Sequence, residues 1–198
     1  MARVVAIVGS YRRGGIADQA VDAVLEGARE NGAATEKIYL IEQQIEFCRN
    51  CRMCTQEKGP ARGECVHQDG LESVLQRVES ATAVVLSSPV NYYNVTAVFR
   101  RFMERLIGYT YWPWGKNLGP VMRSKLRTRK AVLIASAAVP ALFIPLSTGA
   151  PRALKVAARM VGAKPVGKLW IGMAGSQPDE LLRARTRMKA MRLGRRLA

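Results

Sequence analysis

Val4-Val5-Ala6-Ile7-Val8 runs straight into Gly9-Ser10-Tyr11-Arg12-Arg13-Gly14-Gly15, and a helical pattern follows from about Ala17. A β-branched strand that breaks at a glycine and feeds a helix is the layout of a phosphate site. Loop amides and the helix N-terminus point their N–H groups at one spot, and the helix dipole favours an anion there. Ser10 adds a hydroxyl donor, and Arg12 or Arg13 a charge-assisted contact to phosphate oxygens. The loop lacks the Gly-Lys-Ser/Thr ending of a P-loop and the spaced glycines of a dinucleotide fingerprint. Read alone, it also fits a glycine-rich turn with surface arginines, and the elements downstream decide between the two.

Outward from that stretch the chain alternates strand and helix. Val4–Gly9 reads as the first strand, and Ala20, Val21, Val24, Leu25 and Ala28 recur at helical spacing until Asn31-Gly32 ends the helix as a glycine cap does. Lys37–Ile41 reads as a second strand, polar enough for a sheet edge. An irregular segment from Glu42 to Gln68 carries all four cysteines. Asp69 is placed to cap a helix marked by Leu71, Val74, Leu75 and Val78. Ala83–Ser87 is a short strand, apolar on both faces. A helix with Val98, Phe99, Phe102 and Leu106 follows, then a long connection from Tyr109 to Lys130. Ala131–Ser136 is strand four, Pro151 and Gly162 bracket a helix with proline at its first position, and Val166–Ile171 is strand five. A last helix is expected from about Asp179, with Leu181, Ala184, Met188 and Met191 on its apolar face. The pattern predicts a flavodoxin-like, doubly wound, five-stranded parallel sheet of order 2-1-3-4-5. One domain over residues 1–198 is expected, with a cysteine-containing insertion at about 43–68.

The 198 residues, 48% of them hydrophobic, suffice for a sizeable core, whereas the net charge of +16 is far from ordinary. The excess concentrates between Arg123 and Lys130 and from Arg183 to Arg196. Such a balance suits nucleic acid, anionic lipid, an acidic protein or a phosphorylated small molecule. The basic runs have no aromatic interleaving and no helix-turn-helix or RRM pattern, which argues against nucleic acid. The N-terminal apolar run is too short for a secretory signal. The uncharged stretch Ala131–Leu146 falls short of a bilayer span and contains two prolines. A cytoplasmic protein with no membrane span is expected, its thiols reduced unless they hold metal or do redox chemistry.

In an open α/β sheet the ligand lies beyond the strand C-termini where strand order reverses, here between strands one and three. Ser87-Ser88-Pro89-Val90-Asn91-Tyr92-Tyr93-Asn94-Val95 follows strand three and combines a rigid proline, backbone donors and stacking rings, the mixture that a flavin needs. Three features together resemble the flavodoxin-like NAD(P)H-dependent FMN reductase family over essentially the whole chain. They are the Gly-Ser-x-Arg loop, the Ser-Pro-Val-x-Tyr-x-x-Val segment leading to Phe102 and Glu104-Arg105, and Ser136-Ala137-Ala138 after strand four. The resemblance is closest to the iron–sulfur flavoprotein-like branch, which carries a cysteine cluster after strand two. Usual members have tyrosine at the place of Asn91, Asp-Arg at the place of Glu104-Arg105, and small hydroxyl or amide side chains where this chain has Ile16 and Ala17.

The resemblance implies FMN held at its phosphate by Ser10, Arg12, Gly15, Ile16 and Ala17. The ring would lie against Pro89, Val90, Asn91, Tyr92, Asn94 and Val95, with Ser136, Ala137 and Ala138 as a third loop. It further implies NAD(P)H as electron donor and a quinone, flavin or other small acceptor. The flavin would carry the chemistry, so no catalytic residue is named. A homodimer or homotetramer is expected. Trp112, Trp114, Tyr109 and Tyr111 then either roof a neighbouring subunit's flavin or belong to an ordinary interface, and the basic surface suits an acidic redox protein.

Cys48-x2-Cys51-x2-Cys54, with Cys65 after a ten-residue gap, can converge on a [4Fe–4S] cluster. In that case single electrons would pass between a ferredoxin-like donor and FMN with no nicotinamide step. The gap is longer than the compact run expected of iron–sulfur flavoproteins, and no proline follows Cys65. Reduced thiols packed at a subunit interface fit the same spacing equally well. Zinc lacks its paired Cys-x2-Cys knuckles, and a disulfide is the remaining alternative. His67, the only histidine, is expected in a solvated loop.

Overall fold

The computed structural model describes residues 1–117 and 119–198. Its strands are β1 (Arg3–Val8), β2 (Ala34–Tyr39), β3 (Ala83–Asn91), β4 (Asn94–Val95), β5 (Thr110–Tyr111), β6 (Val121–Met122), β7 (Arg129–Ser136) and β8 (Ala163–Ile171). Its helices are α1 (Ile16–Glu30), α2 (Gly70–Glu79), α3 (Ala97–Arg105), α4 (Ile144–Ser147), α5 (Ala150–Met160) and α6 (Ala184–Arg195). The main sheet runs β2-β1-β3-β7-β8, all parallel, which is the doubly wound order that the alternation predicts. The sheet is not purely parallel or five-stranded, because the short β4 folds back antiparallel onto the end of β3.

Strict alternation sorts each central strand between two cores. Val5, Ile7, Val84, Leu86, Ala131 and Leu133 face one side, where Leu75, Phe99, Phe102 and Leu154 pack against them. Val4, Ala6, Val8, Val85, Val132 and Ile134 face the other, under Val21, Val24 and Leu193. Burial on both faces is why the paired stretches Val4–Val8, Ala83–Leu86 and Ala131–Ala135 carry no polar residue. β2 is the edge strand, as its polarity implies. It spans Ala34–Tyr39 rather than Lys37–Ile41, because residues 40–42 turn into a 3-10 helix that buries Leu40. Asp69 caps α2 by accepting from the Leu71 N–H at 3.0 Å. Gly32 and Gly162, both at positive φ, end α1 and α5. Pro151 is the second residue of α5, one place later than expected.

The last helix departs most from its expected course. It starts at Ala184, not near Asp179, and Leu181 and Met188 are exposed. Its buried face is Ala190, Leu193 and Gly194, with Leu197 just beyond, and it packs on α1. The contact is close enough that a Cβ on Gly27 would stand 2.1 Å from the Met191 carbonyl oxygen. Two small residues, rather than a stripe of large ones, make this seam. Among the described residues no helix is long and apolar enough to cross a membrane.

Candidate functional site

A cavity of about 310 Å³ opens at the C-terminal ends of β1, β3 and β7, the position where strand order reverses. The β1–α1 loop lines it with Ser10, Tyr11, Arg12, Gly15, Ile16 and Ala17, and the other two loops contribute Pro89, Val90, Asn91, Ser136, Ala137 and Ala138. Tyr92, Asn94 and Val95 do not line it. Val95 is buried, and the Asn94 amide fills the space beside Gly149. Tyr92 and Tyr93 form the two-residue tip of a hairpin whose flanking residues, Asn91 and Asn94, are paired. Both tip residues have positive φ (47° and 66°), and the rings stand 98% and 73% exposed. A tight hairpin demands that backbone, but asparagine and glycine adopt it far more readily than tyrosine, so the tip stores strain beside the cavity.

The first loop is built by its own side chains. The Ser10 hydroxyl accepts from the Arg12 N–H at 3.1 Å and donates to the Arg12 carbonyl at 3.0 Å, so its proton is used in shaping the turn. The Arg12 guanidinium donates to the Pro178 carbonyl rather than standing free over the loop. Asp18, in the first turn of α1, accepts from the Gly14 N–H at 2.8 Å and from the Tyr39 hydroxyl at 3.0 Å, with Lys37 Nζ 2.7 Å away. Burial pushes the Lys37 ammonium down, yet its bonds to Asp18 and Asp22 outweigh this and hold it well above the usual lysine range.

Sequence reasoning missed one wall entirely. Ala174, Gly175, Gln177, Pro178 and Glu180 form a strap that completes the cavity. Gln19 fastens it, donating to the Glu180 carbonyl at 2.9 Å and accepting from the Leu182 N–H at 2.8 Å. A polar residue inside the first turn of an otherwise apolar helix face was the available signal. These residues fit a phosphate group. The cap position of α1 is Gly15, which has no side chain, so the first-turn N–H groups have no capping side chain while Gly15, Ile16 and Ala17 face the cavity.

A second, small cavity lies in the cysteine segment. All four thiols line it, together with Arg49, Arg52, His67 and Arg105. The ten-residue gap before Cys65 is absorbed by a close contact: a Cβ on Gly63 would stand 1.9 Å from the Cys54 carbonyl oxygen, which also accepts from Arg123 Nη2 at 3.0 Å. Burial pushes the Cys54 thiol up, and Cys65, Cys48 and Cys51 push it further, so the four sulfurs feel one another. Among the described residues no group of three His, Cys, Asp or Glu side chains is arranged to hold a metal ion. No disulfide joins the thiols. Three nitrogens of the lining residues, Arg52 Nε, Arg105 Nε and His67 Nε2, are buried without a hydrogen-bond partner. Half-buried in this wall, His67 is not the solvated loop residue expected. Four thiols ringed by arginines and under-satisfied nitrogens fit an anionic iron–sulfur group.

The tryptophans serve this second cavity. The Arg52 guanidinium lies 3.6 Å from the Trp112 ring and 3.9 Å from the Trp114 ring, and donates to the Trp112 carbonyl at 2.7 Å. The Trp112–Trp114 segment thus clamps the cysteine loop of its own chain.

Comparison with known proteins agrees with this geometry. A family model described as NADPH-dependent FMN reductase matches residues 2–144. An iron–sulfur flavoprotein of Archaeoglobus fulgidus is 36% identical over 111 residues, covering 56% of this chain and 48% of that relative. An iron–sulfur flavoprotein of Methanocaldococcus jannaschii is 31% identical over 103 residues, covering 52% of this chain and 51% of that relative. The match spans about half the length of these curated relatives. In structure, an NAD(P)H:quinone oxidoreductase from Methanothermobacter marburgensis superposes with a TM-score of 0.71 at 21% identity, covering 100% of this chain and 99% of that one. At that identity the likeness shows the fold alone.

Proposed function

The chain belongs to the NADPH-dependent FMN reductase family, and from that premise we propose that it is an FMN-dependent oxidoreductase taking electrons from NAD(P)H and passing them to a small acceptor such as a quinone or flavin. The observation that carries this reading is the cavity at the β1/β3 switch point, walled by three strand-end loops and fed by the uncapped start of α1. Bound flavin supplies hydride acceptance and release of electrons singly or in pairs. The chain's own residues bind and orient. First-turn amides of α1 hold the phosphate, Pro89, Val90 and Asn91 lie along the ring, and Ser136–Ala138 with the strap narrow the opening. Arg12 ties that strap to the phosphate loop.

A second reading has its own observation. Four thiols on one cation-lined cavity, together with relatives named iron–sulfur flavoproteins, favour a [4Fe–4S] group that relays single electrons between FMN and a redox protein. The +16 surface gives such a partner an acidic character. Association of two or four copies belongs to the same proposal. Tyr92, Tyr93, Leu142, Phe143 and Leu146 are exposed apolar residues, and together they offer a covering surface for a second copy.

Absorption spectra and iron analysis of anaerobically purified protein test both readings. A yellow protein whose colour bleaches with stoichiometric NADPH or NADH supports the reductase. A brown protein with acid-labile sulfide that ignores nicotinamide supports the relay. A colourless protein that takes up no added FMN rejects both.

A further inference from the structure

Cys48, Cys51 and Cys54 share one short stretch, whereas Cys65 has to be brought back across ten residues. One side chain closes that circuit. Arg105, the last residue of α3, donates from Nη2 to Cys65 Sγ at 3.3 Å and from Nη1 to the Glu46 carbonyl at 2.7 Å. The same guanidinium pairs with Asp69, at 2.8 Å to Oδ2 and 3.4 Å to Oδ1. Asp69 in turn accepts from the Glu46 N–H at 2.8 Å and caps α2. Both ends of the cysteine segment, residue 46 on one side and residues 65–69 on the other, therefore converge on one guanidinium. Its side chain is only 1% exposed and that of Asp69 only 9%.

A charge held this far from water is costly unless each donor direction is used. A surplus of buried donors around the four sulfurs indicates what the pocket is shaped to receive. Five N–H donors spread over a rigid plane reach a carboxylate, a carbonyl and a sulfur in fixed directions, whereas a lysine offers three from a single nitrogen. Hydrogen bonds to the sulfurs, net charge and solvent exposure are the levers that set the potential of an iron–sulfur group.

We propose that Arg105 is the positioning residue of the cysteine site: it locks both ends of the cysteine segment so that Cys65 serves as the fourth ligand, and its N–H donation to that sulfur raises the reduction potential of the [4Fe–4S] group held there. The proposal rests on the second reading above. It assigns Asp69 the opposing influence, a negative charge that tempers the guanidinium.

The test uses the full chain, reconstituted anaerobically with iron and sulfide, and three readouts: iron and sulfide per chain, midpoint potential of the iron–sulfur signal, and rate of iron loss to a chelator. FMN content is the folding control, because Arg105 does not line the flavin cavity. Arg105→Lys is expected to keep FMN, to lose iron roughly 10–100-fold faster, the range for a lost outer-shell contact, and to move the midpoint negative. Asp69→Asn preserves a capping side chain and is expected to move the midpoint positive, so it also answers the question should Arg105→Lys fail to fold. Midpoints unchanged in the variants, with wild-type rates of iron loss, overturn the proposal while leaving an iron–sulfur site standing. Wild-type protein that binds FMN but takes up no iron overturns the underlying reading and the proposal with it.

Discussion

Asp18 shows how a single buried carboxylate prepares a binding loop. It is 2% exposed and ties the β1–α1 loop to β2 through three groups: the Gly14 N–H in the loop, and the Tyr39 hydroxyl and Lys37 ammonium on the strand. The tie holds the loop in a compact turn, with Gly14 at a φ of 70° that glycine tolerates best. Asp18→Ala leaves the Gly14 amide and the Tyr39 hydroxyl without this acceptor, and Lys37 keeps only Asp22. We expect a stability loss of about 2–4 kcal/mol, the scale of two part-buried hydrogen bonds to one carboxylate and the lost contact with Lys37. FMN should also bind more weakly. Asp18→Asn keeps an acceptor for Gly14 and should recover part of both. Denaturant titration alongside flavin-fluorescence titration separates these effects; an affinity that survives Asp18→Ala would mean the loop holds its shape without the tie. Arg12 invites a similar comparison. Its bond to Pro178 makes Arg12→Ala an opening of the strap as well as a loss of charge, so FMN should leave faster, and riboflavin, which has no phosphate, should be weakened less, by the strap alone.

At the scale of elements, the parts with strong local signals were legible in the sequence: two-faced apolar strands, a capped α2, and glycines closing α1 and α5. Legibility ended where tertiary contacts decide. β3 runs on through Pro89 to Asn91 because β4 pairs with its end, a pairing that no propensity of Tyr92-Tyr93 announces. The phase of α6 is hard to read because Met188, and Leu181 just before the helix, are exposed, while its seam with α1 uses glycine and alanine, which carry little hydrophobic signal. The cavity's phosphate loop was visible as a glycine break after a strand. The strap was not, because backbone and one glutamine form it. The α1–α6 seam makes a sharp prediction. Alanine normally strengthens a helix by about 1 kcal/mol over glycine, yet Gly27→Ala and Gly194→Ala place a Cβ 2.1 Å and 1.9 Å from the carbonyl oxygens of Met191 and Val24. Both variants should therefore lose stability, by roughly 1–3 kcal/mol as overpacked sites do, whereas Gly59→Ala, with nothing within 4 Å, should be near neutral. Thermal melts decide this, and stabilised Gly27→Ala and Gly194→Ala proteins would show that the two helices stand farther apart.

For the molecule as a whole, the dominant quantity is its charge, and the few carboxylates are placed to offset it where it is buried. Asp69 is raised by burial, but donation from Arg105 and from the Glu46 and Leu71 N–H groups outweighs this and leaves its carboxyl below the usual range. Burial likewise raises Glu36, and bonds from Arg77 and Arg3 bring it below the ordinary value. Glu72 is lowered chiefly by its bond from Arg62. A carboxyl whose folded pKa lies below its unfolded value, about 4, contributes stability that is fully present above that value and lost as pH falls through the folded one. Lys37 is raised instead, so its contribution holds below the unfolded lysine value of about 10.4 and fades above it. Because the raised Cys54 thiol costs stability above the unfolded thiol value of about 8.5, stability should be level between roughly pH 5 and 8 and fall steeply below about pH 4. There the thirty-one lysine and arginine charges lose their fifteen acidic counterparts, and self-repulsion adds to the lost pairs. Salt separates the two causes, because it screens repulsion between exposed charges and acts little on a buried pair. Denaturation midpoints across pH 2.5–8, at low salt and at about 0.5 M, should show an acid limb that salt shifts only in part. In Asp69→Asn the part that salt leaves behind should shrink. An acid limb that salt abolishes completely would mean that repulsion alone drives unfolding and that the Asp69–Arg105 pair contributes nothing at neutral pH.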